Sequence, residues 1–219
     1  EHLLVVDAMA KERGIAQGQD SLTALGSVLF GLRLLDVVQD PALGWLAQKL
    51  RDKRGTAVTV AGAVMALAML GLFAMPAPVA PVLWFALMLT LVFSAFSFLT
   101  ICFYAQGVAK ADSLPGAGHL TLARWRETGA LLGVCLASVA PLLLGVGLDR
   151  PFAGFAVGYA ILALWATVAM RGEWRAAVLP MESGFGTVLR DAQARRLLLI
   201  ALVNAAPVAV TSTLFLFYV

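Results

Sequence analysis

Apolar runs at about 21–49, 56–75, 81–108, 122–146 and 151–170, with a sixth beginning near 196, constrain this chain more than any other feature. Each is close to the roughly 20 residues that a helix needs to cross about 30 Å of hydrocarbon. Composition agrees. Of 219 residues, 61% are hydrophobic and 13% charged, where soluble domains reach about a quarter charged, and the mean hydropathy is +0.88. A water-soluble fold could not hide that much apolar surface, so the chain reads as an all-α polytopic membrane protein. The breaks fit that reading. Pro76, Pro78 and Pro81 interrupt one junction, and Asp149-Arg150-Pro151 marks another, because proline lacks the donor a helix interior requires but suits a helix start.

Basic residues alternate between connections. The segments 49–55, 109–126 and 171–196 hold twelve of the sixteen Lys and Arg, which places those connections in the cytoplasm by the positive-inside rule. The net charge of +3 and the pI near 9.1 are thereby explained by membrane orientation, with no nucleic-acid partner. The expected location is a bacterial-type cytoplasmic (inner) membrane, with the lipid bilayer as partner. Cys102 and Cys135 lie in apolar stretches without metal-type spacing and are expected to pack as small apolar residues. Gly129, Gly133 and Ala137, and Gly154 and Gly158, form small-residue stripes suited to close helix approach in lipid. The chain opens on what reads as a helix end and stops within an apolar run, so it is expected to be a piece of a longer protein.

Inside the first complete span stand Arg33, Asp36 and Asp40. At 100° per residue the two carboxylates lie at about 300° and 340° from the arginine, so all three share one narrow face. Each charge at the bilayer centre is unfavourable by about 2.5–3.5 kcal/mol on insertion scales, so the stripe must face protein or a wet cavity. One cation and two carboxylates leave a net negative charge, a seat for a monovalent cation or a transferable proton. Asp36 and Asp40 supply oxygen ligands for Na+, Arg33 orients one of them, and Pro41 frees a carbonyl near Val37. The alternative is a purely structural Arg33–Asp36 ion pair, with Asp40 satisfied by another helix.

The stretch Arg33-Leu-Leu-Asp36-Val-Val-Gln-Asp40-Pro41-Ala-Leu-Gly44 resembles the helix II signature R-x-x-D-x-x-x-D-P-x-x-G of the glycoside-pentoside-hexuronide:cation symporters, the melibiose permease group of the major facilitator superfamily. The basic run from Gln48 to Gly55 stands where the superfamily has its loop between helices II and III, with Gln48 at a usually acidic position. The resemblance implies a major facilitator-type N-terminal helix bundle over 1–170 (end of helix I to helix VI), a central cytoplasmic loop over 171–194, and the start of helix VII at 195–219. The remaining C-terminal half of the same chain would be its partner, with a solute cavity between the halves and alternating access by rocking. It also implies cation binding by Asp36 and Asp40. Aligned on the helix IV aromatic pair Phe103-Tyr104, Thr100 takes an aspartate position and offers a cation ligand, and Tyr104 takes that of a sugar-stacking tryptophan. Arg126, seven residues before Gly133, matches a helix V arginine near the sugar, or is an interfacial arginine at a helix end.

The expected function is cation-coupled secondary transport: symport of a sugar or related small polar solute with Na+ or H+. No cofactor beyond the coupling ion is expected. Two alternatives share the fold: a carrier of amphipathic lipid-like solutes, and a non-transporting membrane sensor or assembly subunit. The sequence shows no nucleophile with a base, no Cys/His cluster and no phosphate-cradling glycine loop, so it does not read as an enzyme. Glu127 is expected to pair with a loop arginine, since i,i+1 residues do not face each other on a helix.

Overall fold

The computed structural model describes residues 35, 38–112, 116, 118–175, 186, 190–201, 203, 204 and 207, and no strand occurs among them. The chain divides into two compact units, Met9–Leu179 and a second made of Glu1–Ala8 with Pro180–Val219. In the first, a helix over 38–49 (α1) leads through a 3-10 turn at Arg51–Lys53 into α2 (Arg54–Phe73). Then follow α3 (Pro81–Asp112), α4 (Gly118–Leu144) and α5 (Pro151–Met170), and a 3-10 turn at Glu173–Arg175. Four of these helices, α2 to α5, are long and apolar enough to cross a membrane. Arg33 and Asp36 lie outside the described residues.

The prolines act where expected. Helix α2 stops as Ala74 and Met75 both donate to the Leu70 carbonyl, just before Pro76, while Pro81 and Pro151 open α3 and α5. Two boundaries move by four residues. The span expected to close at 108 continues to Asp112, about 48 Å at 1.5 Å per residue, so α3 outruns the hydrocarbon. The next helix begins at Gly118, not at 122. Both extensions lie at the basic end, where polar residues prolong a helix into the headgroup layer without charge in hydrocarbon.

Helix α2 is the hub, packed against both α3 and α5. A Cβ at Gly71 would stand 2.6 Å from Met88 Sδ, and one at Gly62 would stand 3.5 Å from Thr167 Oγ1. Gly71 therefore marks the tight approach of α2 to α3, while a Cβ at Gly62 would make an ordinary contact with α5, and Trp84 Nε1 seals Gly71 by donating to its carbonyl at 2.9 Å. The rings of Phe73 and Phe152 stack at 5.7 Å. Toward the basic end, Ala47, Val58, Phe98 and Cys102 form a buried cluster flanked by Leu46 and Trp174.

The small-residue stripe on α4 does not make the expected contact: a Cβ at Gly129 or Gly133 would meet nothing within 4 Å. Helix α4 turns its apolar side chains outward, and Cys135, expected to be packed, is exposed. Lipid is as apolar as leucine, so burial against protein is not enforced along such a helix.

In the second unit, residues 192–201 are helical. Asp191 Oδ1 accepts from the Gln193 amide at 3.0 Å, and the Asp191 carbonyl accepts from the Arg195 amide. That N-cap starts the helix four residues before the expected 196, because a carboxylate satisfies one of the free first-turn amides.

Candidate functional site

The helical repeat puts one stripe of α3, Phe96, Leu99, Thr100, Phe103 and Tyr104, opposite one stripe of α5, Tyr159, Leu162, Ala163, Ala166, Thr167 and Met170. Between them lies a cleft of about 480 Å³, within the roughly 300–1,000 Å³ of small-molecule sites. Val58, Gly62 and Met65 of α2 form its floor, and Arg126 of α4 and Trp174 complete the lining. Three residues singled out from sequence, Thr100, Tyr104 and Arg126, are thus brought together. Asp40 has an exposed side chain on α1 and does not line this cleft. Arg33 and Asp36 fall outside the described residues, and among those described no group of three or more His, Cys, Asp or Glu could hold a metal ion.

The polar end of the cleft is built on Arg126. Its Cζ stands 4.6 Å from the centroid of the Tyr104 ring, a cation–π contact that links α4 to α3. Its Nη2 and Nε both donate to Glu127 Oε1, at 2.7 and 3.1 Å. The expectation that Glu127 pairs with a loop arginine is therefore corrected. Neighbouring Cβ atoms diverge, but the long arginine stem folds back far enough for one edge of its fork to grip a single carboxylate oxygen. The pair is exposed and adds little stability; its consequence is that the arginine presents its planar group to the cleft with its charge balanced.

Hydroxyls within the spans differ in how they are satisfied. Thr90, Ser94 and Thr167 donate to the carbonyls of Ala86, Thr90 and Ala163 at 2.7, 2.7 and 2.8 Å, the usual way to satisfy a hydroxyl in lipid. Thr100 and Tyr159, both lining the cleft, hydrogen-bond to none of the described residues. Tyr159 was not selected from sequence, although a tyrosine in the middle of an apolar span was a signal for it.

At the basic end a second polar group appears. Arg54, counted above among the loop cations, is the first residue of α2 and only 5% exposed. Its Nη1 donates to Gln106 Oε1 at 3.3 Å, and Gln106 Nε2 donates to the Glu173 carbonyl at 2.7 Å. The Glu173 carboxylate pairs with Lys110 at 2.8 Å. Arg54 Nε has no hydrogen-bond partner among the described residues. The bonds join the start of α2, the end of α3 and the turn after α5 at one end of the bundle, which the sequence reading placed in the cytoplasm.

Membrane-length helices packed around a cleft of this size define a multi-pass integral membrane protein. The sequence profile described as MFS/sugar transport protein matches residues 19–219. The chain belongs to that family and is a transporter of the major facilitator superfamily. No curated protein and no solved structure matches it.

Proposed function

We propose that the protein is a cation-coupled secondary transporter of the melibiose permease type, moving a sugar or related small polar solute with Na+ or H+ by alternating access. The observation that carries this reading is the convergence of Thr100, Tyr104 and Arg126 on one cleft. An aromatic ring receives the C–H face of a sugar, and a guanidinium fork receives its oxygens. Asp36 and Asp40, oriented by Arg33, bind the coupling cation, with Thr100 as a further oxygen ligand. A C-terminal bundle of the same chain supplies the other half of the cavity, and the protein resides in a cytoplasmic membrane.

Uptake by whole cells tests the coupling. Asp36→Asn and Asp40→Asn each abolish accumulation driven by a Na+ or H+ gradient; full accumulation by both variants refutes the cation site. One observation favours a second reading. Much of the cleft wall is apolar, with Met65, Phe96, Leu99, Leu162 and Met170 among its residues, which suits an amphipathic lipid-like solute. Competition separates the two: sugars that displace labelled lysolipid no better than buffer support the lipid carrier.

A further inference from the structure

The stripe that α5 turns to the cleft is apolar except for Tyr159 and Thr167. The Thr167 hydroxyl is occupied, donating to the Ala163 carbonyl at 2.8 Å, and it abuts Gly62, where an added Cβ would come within 3.5 Å. Tyr159 is different. It is partly buried in the middle of a membrane span, and its hydroxyl bonds to none of the described residues. Across the cleft, Thr100 is in the same condition while the other span hydroxyls just described return to their own helices. An unpaired hydroxyl in an apolar site is unfavourable unless a partner arrives. Two such hydroxyls on facing helices, beside the Arg126 guanidinium and the Tyr104 ring that line the same cleft, form a polar set that a solute hydroxyl can complete.

We propose that Tyr159 is a specificity-determining residue: its hydroxyl makes the α5-side hydrogen bond to the solute, reading one hydroxyl position that α3 and α4 do not. This rests on the sugar reading of the cleft. The contact also spans the site from α5 to α3 through the bound solute, so it selects for hydroxyl pattern and not for ring stacking alone. A solute lacking that one hydroxyl leaves Tyr159 unpaired and is bound less well, though its stacking face is unchanged.

The test is a binding cycle on the full-length purified transporter, measured by calorimetry with methyl glycosides of common hexoses and pentoses, then with the monodeoxy analogues of the tightest binder. In the native protein, one deoxy position weakens binding by about tenfold. Tyr159→Phe, which keeps the ring and removes only the hydroxyl, weakens binding of the parent glycoside by a similar factor. In that variant, deletion of the same sugar hydroxyl produces no further loss, while the other deoxy positions retain their effects. If Tyr159→Phe discriminates among the deoxy series as the native protein does, the Tyr159 assignment is wrong and the sugar reading survives. If the native protein binds none of the glycosides, the sugar reading fails and this inference fails with it. Unchanged thermal stability of Tyr159→Phe separates a lost solute contact from a damaged bundle.

Discussion

Nη1 of Arg54 donates to the side-chain oxygen of Gln106 at 3.3 Å, and these two residues, 52 positions apart in sequence, are the buried polar pair of the core. The glutamine passes the connection on through its amide nitrogen to the Glu173 carbonyl. A neutral side chain thus serves a buried cation whose Nε has no hydrogen-bond partner among the described residues.

Removing that glutamine should therefore hurt more than an average hydrogen bond. Gln106→Leu leaves the Arg54 guanidinium and the Glu173 carbonyl unsatisfied, and is expected to destabilise the bundle by about 1–3 kcal/mol. Thermal unfolding in detergent measures it. Lys110→Ala breaks an exposed pair with Glu173, and loss of that pair is expected to change stability by less than about 1 kcal/mol. Equal losses in the two variants would mean that burial is not what gives the inner bond its weight.

The Arg126 contact on Tyr104 makes a prediction about binding. Tyr104→Phe keeps the ring under the guanidinium, whereas Tyr104→Ala removes a contact of about 0.5–2 kcal/mol. Solute affinity should fall by about twofold to thirtyfold in the alanine variant and much less in the phenylalanine one. Arg126→Lys cannot reproduce the two-nitrogen grip on Glu127 and should behave like the alanine variant. The measurement is the solute KM for uptake alongside protein abundance in the membrane.

The glycine at the α2–α3 crossing carries a steric prediction. Gly71→Val pushes a branched side chain into Met88 and Trp84, which already stand 2.6 and 3.4 Å from where a Cβ would be. Overpacking of this kind is expected to cost about 1–3 kcal/mol, and the Trp84 bond to the Gly71 carbonyl weakens with it. Met88→Ala in the same chain frees the space and should restore part of the loss. Gly133→Val has nothing within 4 Å to strike and should be near neutral, a contrast that unfolding midpoints will resolve.

Much of this bundle was legible in the sequence, and the reasons are local. Pro81 and Pro151 open helices because their missing donors sit where no bond is required, and the apolar runs fix which segments cross the membrane. Thr100, Tyr104 and Arg126, named through the family resemblance, line one cleft, and their roles there are part of the proposal. What was not legible depends on which helices meet. Gly71, not Gly129 or Gly133, marks a close approach, because every span here contains small residues and only the tertiary arrangement decides which ones find a neighbour. Arg54 looked like a solvated loop charge until α3 and the turn after α5 closed over it. Tyr159 acquired meaning only when α5 faced α3 across the cleft.

Thr100 offers the sharpest division of labour to test, because the proposed function gives it to the cation while the cleft also places it beside Tyr104 and Arg126. Thr100→Val keeps the shape and deletes the oxygen. A hydroxyl that ligates the cation is worth about 1 kcal/mol or more, so the half-saturating concentration of Na+ or H+ for uptake should rise about fivefold to tenfold. Thr100→Ser, which retains the oxygen, should restore the native value. Tyr104→Phe, which touches only the solute, should leave the cation midpoint unchanged. Should Thr100→Val alter the solute KM alone, its oxygen belongs to the solute, and Asp36 and Asp40 are left to hold the cation without it.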